Sequence, residues 1–297
     1  MATDFLHTAR RIVWKIRPPA LALGGGGARG FAHIGVLQEL DRHSLPIRSI
    51  TGTSMGAIIG AMYACLGSGN AVREKWREAL ARDLLPSPPQ SSHSRSPEVQ
   101  KHPLLQAARR FRNRLVVSFA LHQPSMLDGT SIAEAVEFLL PDVHIEDLPI
   151  RFSAVAVDLD TGESVTLDAG PLRTAVKASG AIPGVLPAVE INGRQLVDGG
   201  VISEIPVREA HGAYRPVFAV DVSMDLGERS ENDIALNTMM RTQTMTAAVV
   251  RQDQLRSARW ILRPEVGHAT WSDWDLFEEM VETGAKAMRA WLGILDT

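Results

Sequence analysis

Gly52-Thr53-Ser54-Met55-Gly56 places a serine between two glycines, where a β-branched apolar run (residues 47–51) gives way to a small-residue helix (57–66). G-x-S-x-G at a strand-to-helix turn is the nucleophile-elbow pattern, a sharp, strained turn that thrusts the serine out at the helix N-terminus. Glycine suits positions 52 and 56 because a Cβ at either would crowd the tight backbone. Ala57, Gly60, Ala61 and Ala64 let the following helix lie close on a sheet. A serine hydroxyl is a poor nucleophile until a base takes its proton, and the tetrahedral intermediate needs hydrogen-bond donors for its oxyanion.

Gly25-Gly26-Gly27-Ala28-Arg29-Gly30 supplies the donors. It leads from a short apolar strand at 20–23 into a helix with Phe31, Ile34, Leu37 and Leu40 on one face. Backbone free of side chains turns several N–H groups toward one point there, reinforced by the helix N-terminus. The same residues fit G-x-G-x-x-G, so a dinucleotide-binding turn competes. Such a turn expects an acidic residue at the end of the second strand to hold the ribose. Gly52-Thr53-Ser54 stands at that place instead.

For the base, two arrangements are open. His93, His102, His122, His144, His211 and His268 follow Ser54, and His211 and His268 also follow Asp198, so a Ser…Asp…His order is formally available. Alternatively Asp198, opening Asp198-Gly199-Gly200 at a strand end, acts itself. A carboxylate is a weak base in water, and burial beside apolar groups raises its pKa enough for proton abstraction. The plain alternative for Asp198 is a turn-forming aspartate ahead of two glycines.

The elements that must carry these residues follow from pattern. Strand, glycine-rich turn, helix, strand, turn and helix open a parallel α/β sheet. Residues 130–140 form a helix capped by Thr130 or Ser131; 151–157 and 163–167 form a hairpin; 172–179 are helical; Asn192-Gly193 turns a second hairpin. Residues 217–222 form a strand buried on both faces, 236–257 a long helix, 260–262 a strand, and the tail an amphipathic helix. The domain spans 20–297, after an N-terminal extension at 1–19 that reads as loosely packed. It is interrupted at 83–128 by a Pro/Ser-rich stretch and a helix at 104–121 whose one face is crowded by Arg109, Arg110, Arg112 and Arg114. That helix is either a lid or membrane-surface segment or a solvated surface helix.

Taken in order, Gly25–Gly30, Gly52–Gly56 and Asp198–Gly200, with Lys177-Ala178-Ser179-Gly180-Ala181-Ile182-Pro183-Gly184 ahead of the last, resemble the motifs of the bacterial patatin-like phospholipase family. The resemblance implies a three-layer α/β/α sandwich with a mainly parallel central sheet, and a Ser–Asp dyad without a catalytic histidine. Ser54 would be the nucleophile, Asp198 the base, the run Gly25 to Gly30 the oxyanion hole. It also implies hydrolysis of acyl ester bonds in phospholipids, lysophospholipids or related lipids, with no cofactor. A low-activity regulatory or binding protein of the same fold is the alternative.

A net charge of −3 gives no global attraction for nucleic acid. The lone Cys65 excludes an internal disulfide and favours a reducing, cytoplasmic setting, with peripheral contact to the inner membrane face through the basic helix at 104–121. No spacing of Cys, His, Asp and Glu matches a metal site. Asp158, Asp160 and Asp168 read as turn formers, and Asp221 as a local pairing residue.

Overall fold

The structure is a computed structural model that describes residues 10–85, 129–213, 216–224 and 235–293. Most of the 83–128 insertion, including the basic helix at 104–121, lies outside the described residues.

Eight strands form one sheet: β1 (Ala20–Leu23), β2 (Ser49–Thr53), β3 (Phe152–Asp158), β4 (Ser164–Leu167), β5 (Val189–Ile191), β6 (Arg194–Asp198), β7 (Val217–Val220) and β8 (Trp260–Leu262). Their order is β5-β6-β3-β2-β1-β7-β8, with β4 also paired to β3. The ladders β3-β2-β1-β7-β8 are parallel, and β4, β5 and β6 join antiparallel. The helices are α1 (Ala32–Arg42), α2 (Met55–Leu66), α3 (Gly69–Ala81), α4 (Thr130–Leu139), α5 (Leu172–Ser179), α6 (Val207–Ala213), α7 (Ala235–Leu255) and α8 (Phe277–Leu292).

Side chains alternate across a strand, and the two faces of the central strands differ in size. Leu21, Leu23, Phe218 and Val220 face a large core with Ile34 and Leu37 of α1, Ile59 and Met62 of α2, Trp76 of α3, Val136 of α4 and Met288 of α8. Ala20, Ala22, Val217 and Ala219 face the other way, onto Ile205, Val207 and Ala210 at α6 and Leu255 of α7. The small residues on that face let α6 and the end of α7 approach. This is the expected three-layer α/β/α sandwich. On the large face α1 and α8 meet backbone to backbone, since a Cβ on Gly35 would strike Val281 and one on Gly284 would strike Ala32.

Three local expectations shift. β2 runs two residues later than its β-branched run, because Gly52 and Thr53 still pair with Ala154 and Val155 of β3. α4 is capped by Gly129 in the left-handed region rather than by a Thr130 or Ser131 side chain. The N-terminal segment is not loose where it is described: residues 10–16 are helical and Trp14 is fully buried. Trp14 Nε1 donates to Pro46 O at 2.8 Å, and its ring stacks 5.6 Å from Trp260.

Candidate active site

Ser54 closes β2 and opens α2 with φ 54° and ψ −122°. A non-glycine residue in such a region costs about 1–3 kcal/mol and persists only when its surroundings impose it. The surroundings here are specific. A Cβ at Gly52 would lie 2.5 Å from the Ala57 amide, and one at Gly56 would lie 2.7 Å from Gly24 O, so neither position accepts a side chain. The Ser54 amide donates to Ser179 Oγ at 3.0 Å, and Ser179 Oγ donates on to Val155 O at 2.6 Å. The last residue of α5 thus ties the elbow to β3.

Register delivers the aspartate. Ala154 and Val155 pair with both β2 and β4, while Ala156 and Val157 pair with both β4 and β6. A strand has two edges, so β2 and β6 lie end to end along one edge of β3, with β4 on the other. β6 therefore runs toward the C-terminal end of β2, and its last residue, Asp198, arrives beside Ser54. Close approach is completed by Gly199, where a Cβ would strike Val155 O and lie 3.1 Å from Thr53 Cγ2.

Asp198 is 6% exposed. Its amide donates to Ala181 O at 2.9 Å, and its Oδ1 accepts from the Gly200 amide at 2.7 Å. The Ser54 side chain is near enough to lower the pKa of its carboxylate. Burial raises its pKa to about 6; the Gly200 amide and Ser54 hydroxyl oppose the rise and Glu204 adds to it. At neutral pH it is mostly ionised yet far more basic than a solvated aspartate.

The glycine run is narrower as a donor set than its sequence implied. The Gly25 amide donates to Glu204 O at 2.9 Å and the Ala28 amide to Trp271 O at 2.8 Å. The amides of Gly26 and Gly27 have no partner among the described residues. Gly27 has φ 57°, and a Cβ there would collide with the Trp271 backbone. Ala28 to Gly30 continue into a 3-10 turn at Gly27–Phe31. The Arg29 side chain is buried and turned away from solvent, its Nε donating to Val222 O at 3.1 Å and Nη1 to Ala269 O at 3.2 Å. Burial lowers its pKa and Glu204 opposes the fall. It clamps the glycine run to the end of β7.

The described histidines are occupied elsewhere. His268 is paired with Glu279 at 2.8 Å, and His144 lies 3.5 Å from Glu146, both histidines exposed. His33, absent from the candidates drawn from sequence, is fully buried, and burial pulls its pKa down to about 4. It is neutral, and its Nε2 donates to Gly24 O at 2.8 Å, positioning the run's entry. His93, His102, His122 and the side chain of His211 lie outside the described residues. Asp158 accepts from the Asp160 amide at 2.9 Å as a turn former, and Asp221 pairs with Arg263 at 2.7 Å. Burial pushes the Cys65 thiol up to about 11, which leaves it inert at neutral pH. Among the described residues no group of three His, Cys, Asp or Glu side chains is arranged to hold a metal.

The arrangement defines an α/β protein with a serine–aspartate pair and a glycine-rich amide loop gathered at the C-terminal ends of parallel strands. The family model described as Patatin-like phospholipase matches residues 21–211. The chain belongs to the patatin-like phospholipase family. An uncharacterized NTE family protein of Mycobacterium tuberculosis is 35% identical over 193 residues, which cover 65% of this chain and 45% of that one. The human patatin-like phospholipase domain-containing protein 6 is 29% identical over 240 residues, 78% of this chain and 15% of its own length. The chain thus matches less than half the length of these relatives. Among solved structures, VipD from Legionella pneumophila aligns with 93% of this chain and 66% of its own, at TM-score 0.43 and 14% identity.

Proposed function

We propose that this chain is a serine acyl hydrolase that cleaves carboxylic ester bonds of phospholipids, lysophospholipids or related acyl lipids through a Ser54–Asp198 dyad. One observation carries the reading: Ser54, held on a strained elbow at the end of β2, stands beside the buried Asp198 carboxylate at the end of β6, whose pKa is raised to about 6. That is a nucleophile with a candidate base beside it.

Asp198 accepts the Ser54 proton as Oγ bonds to the acyl carbon. The carbonyl oxygen takes up the negative charge, facing the Gly26 and Gly27 amides and the first amides of α2. Collapse breaks the ester C–O bond, and the leaving alcohol takes the proton from Asp198. Water then gives a proton to Asp198 as its oxygen bonds to the acyl carbon; the acyl C–Oγ bond breaks, Ser54 Oγ takes the proton back from Asp198, and the fatty acid is released. The chemistry draws on no cofactor.

Ser54→Ala and wild type, assayed side by side on a panel of acyl lipids, test the reading. Hydrolysis that survives in Ser54→Ala refutes it, and no turnover by wild type on any lipid favours the regulatory alternative. His211→Ala and His268→Ala should each retain activity, whereas a triad would lose it with one of them.

Contact with lipid is part of the same reading. Among the described residues no helix is long and apolar enough to cross a membrane. Approach from the surface, with the basic segment at 104–121 on anionic lipid, predicts vesicle binding that weakens as salt rises.

A further inference from the structure

The segment between Gly200 and α6 belongs to none of the three motifs, yet it connects with all of them. Three successive carbonyls in it accept from three different elements. Ile202 O accepts from Gln254 Nε2 of α7 at 2.6 Å, Ser203 O from Thr53 Oγ1 at 2.8 Å, and Glu204 O from the Gly25 amide at 2.9 Å. Thr53 precedes the nucleophile, Gly25 opens the amide loop, and the segment follows on from the motif of the base. The Ser203 amide returns to Gly199 O at 2.8 Å. These bonds make 199–205 a strap that sets where Ser54, Asp198 and the glycine run stand relative to one another.

The strap is held from α7, and Ser203 Oγ also donates to Glu209 Oε2 of α6 at 2.9 Å. Besides the Gln254 bond, Arg251 Nη1 lies 3.3 Å from the Glu204 carboxylate. Arg251 is 8% and Gln254 2% exposed, so neither is a loose surface contact. Gln254 Oε1 has no partner, so the Nε2 donation to Ile202 O is the side chain's one hydrogen bond among the described residues. A buried amide retained for a single backbone carbonyl is there for that carbonyl. Both residues lie beyond 211, where the family match ends.

We propose that Gln254 and Arg251 are positioning residues for ester hydrolysis, holding the strap so that nucleophile, base and amide loop stay in register. The proposal rests on the Ser54–Asp198 reading. It predicts an effect on chemistry rather than on substrate binding, because neither side chain belongs to the nucleophile, the base or the amide loop.

Gln254→Met keeps volume and removes the donor. The rate at which a fluorophosphonate labels Ser54 and the kcat for a lysophospholipid should each fall about tenfold, with KM within about twofold, the scale of one lost positioning hydrogen bond. Arg251→Met should behave alike, with Arg251→Lys recovering much of the loss. Trp14→Phe is the control: it removes one buried hydrogen bond, to Pro46 O, at the start of β2 rather than at its catalytic end. It should lower the melting temperature while leaving kcat unchanged. Equal labelling in Gln254→Met and wild type overturns the inference alone. A kcat loss in Trp14→Phe matching that in Gln254→Met also overturns it, since general destabilisation would then suffice. Absence of Ser54 labelling in wild type overturns the dyad and the inference together.

Discussion

Replacing Asp198 by asparagine should stop hydrolysis and make the protein more stable. The carboxylate is buried, and its pKa rises from 3.8 to about 6 on folding. A raised acid pKa means that the folded state holds a proton which the unfolded state has already released. Stability therefore falls as pH rises from the unfolded pKa to the folded one, and levels off above it. Integrated over that window, ionised Asp198 costs about 1 kcal/mol at pH ~4.5 and about 3 kcal/mol at pH ~7.5. Asparagine is isosteric, can still accept from the Gly200 amide, and carries no charge to desolvate. Urea unfolding of wild type and Asp198→Asn at the two pH values measures the difference as a shift in midpoint at constant slope. The variant should gain little at the lower pH and about 2 kcal/mol more at the higher. An equal gain at both pH values, or a loss at the higher, would falsify the claim that burial of the charged base is what tunes this site.

The same shift sets the rate profile: kcat/KM should fall about tenfold per unit as pH drops below about 6 and stay level above it, whereas an acid limb near 4 would mean an unperturbed base. Ser179→Ala removes the acceptor of the Ser54 amide and the donor to Val155 O. It should cost about 1–3 kcal/mol of stability by leaving buried groups unpaired and slow Ser54 labelling, so an unchanged labelling rate would show that the elbow needs no such brace.

How much was legible from the chain depended on how local the constraint was. Gly52, Ser54 and Gly56 were readable because a tight turn dictates residue types within five positions, and the backbone clashes at Gly52 and Gly56 are that dictate made visible. Asp198 is readable as a candidate, but what would make it a base is not in its sequence neighbours. It is the end-to-end placement of β2 and β6 along β3, a matter of register across more than a hundred residues of chain. Ser179, Thr53 and Glu204 escaped for the same reason: a serine at a helix end or a glutamate in a loop gives no sign of which distant carbonyl or amide it meets. Which amides of the donor run are taken up is not legible locally, because Glu204 O and Trp271 O, which accept from Gly25 and Ala28, come from far along the sequence. Trp14 looked like one apolar residue in a basic extension, and its partners Pro46, Phe218, Trp260 and Trp291 lie on four other segments.

The central claim is that Ser54 and Asp198 act as one unit with no histidine between them. Steady-state hydrolysis of a lysophospholipid by Ser54→Ala, Asp198→Asn and the double variant tests it most directly. The dyad predicts that each single replacement removes nearly all activity and that the double is no worse than either alone. Losses that multiply in the double variant, or an Asp198→Asn protein that keeps most of its activity, would contradict the account.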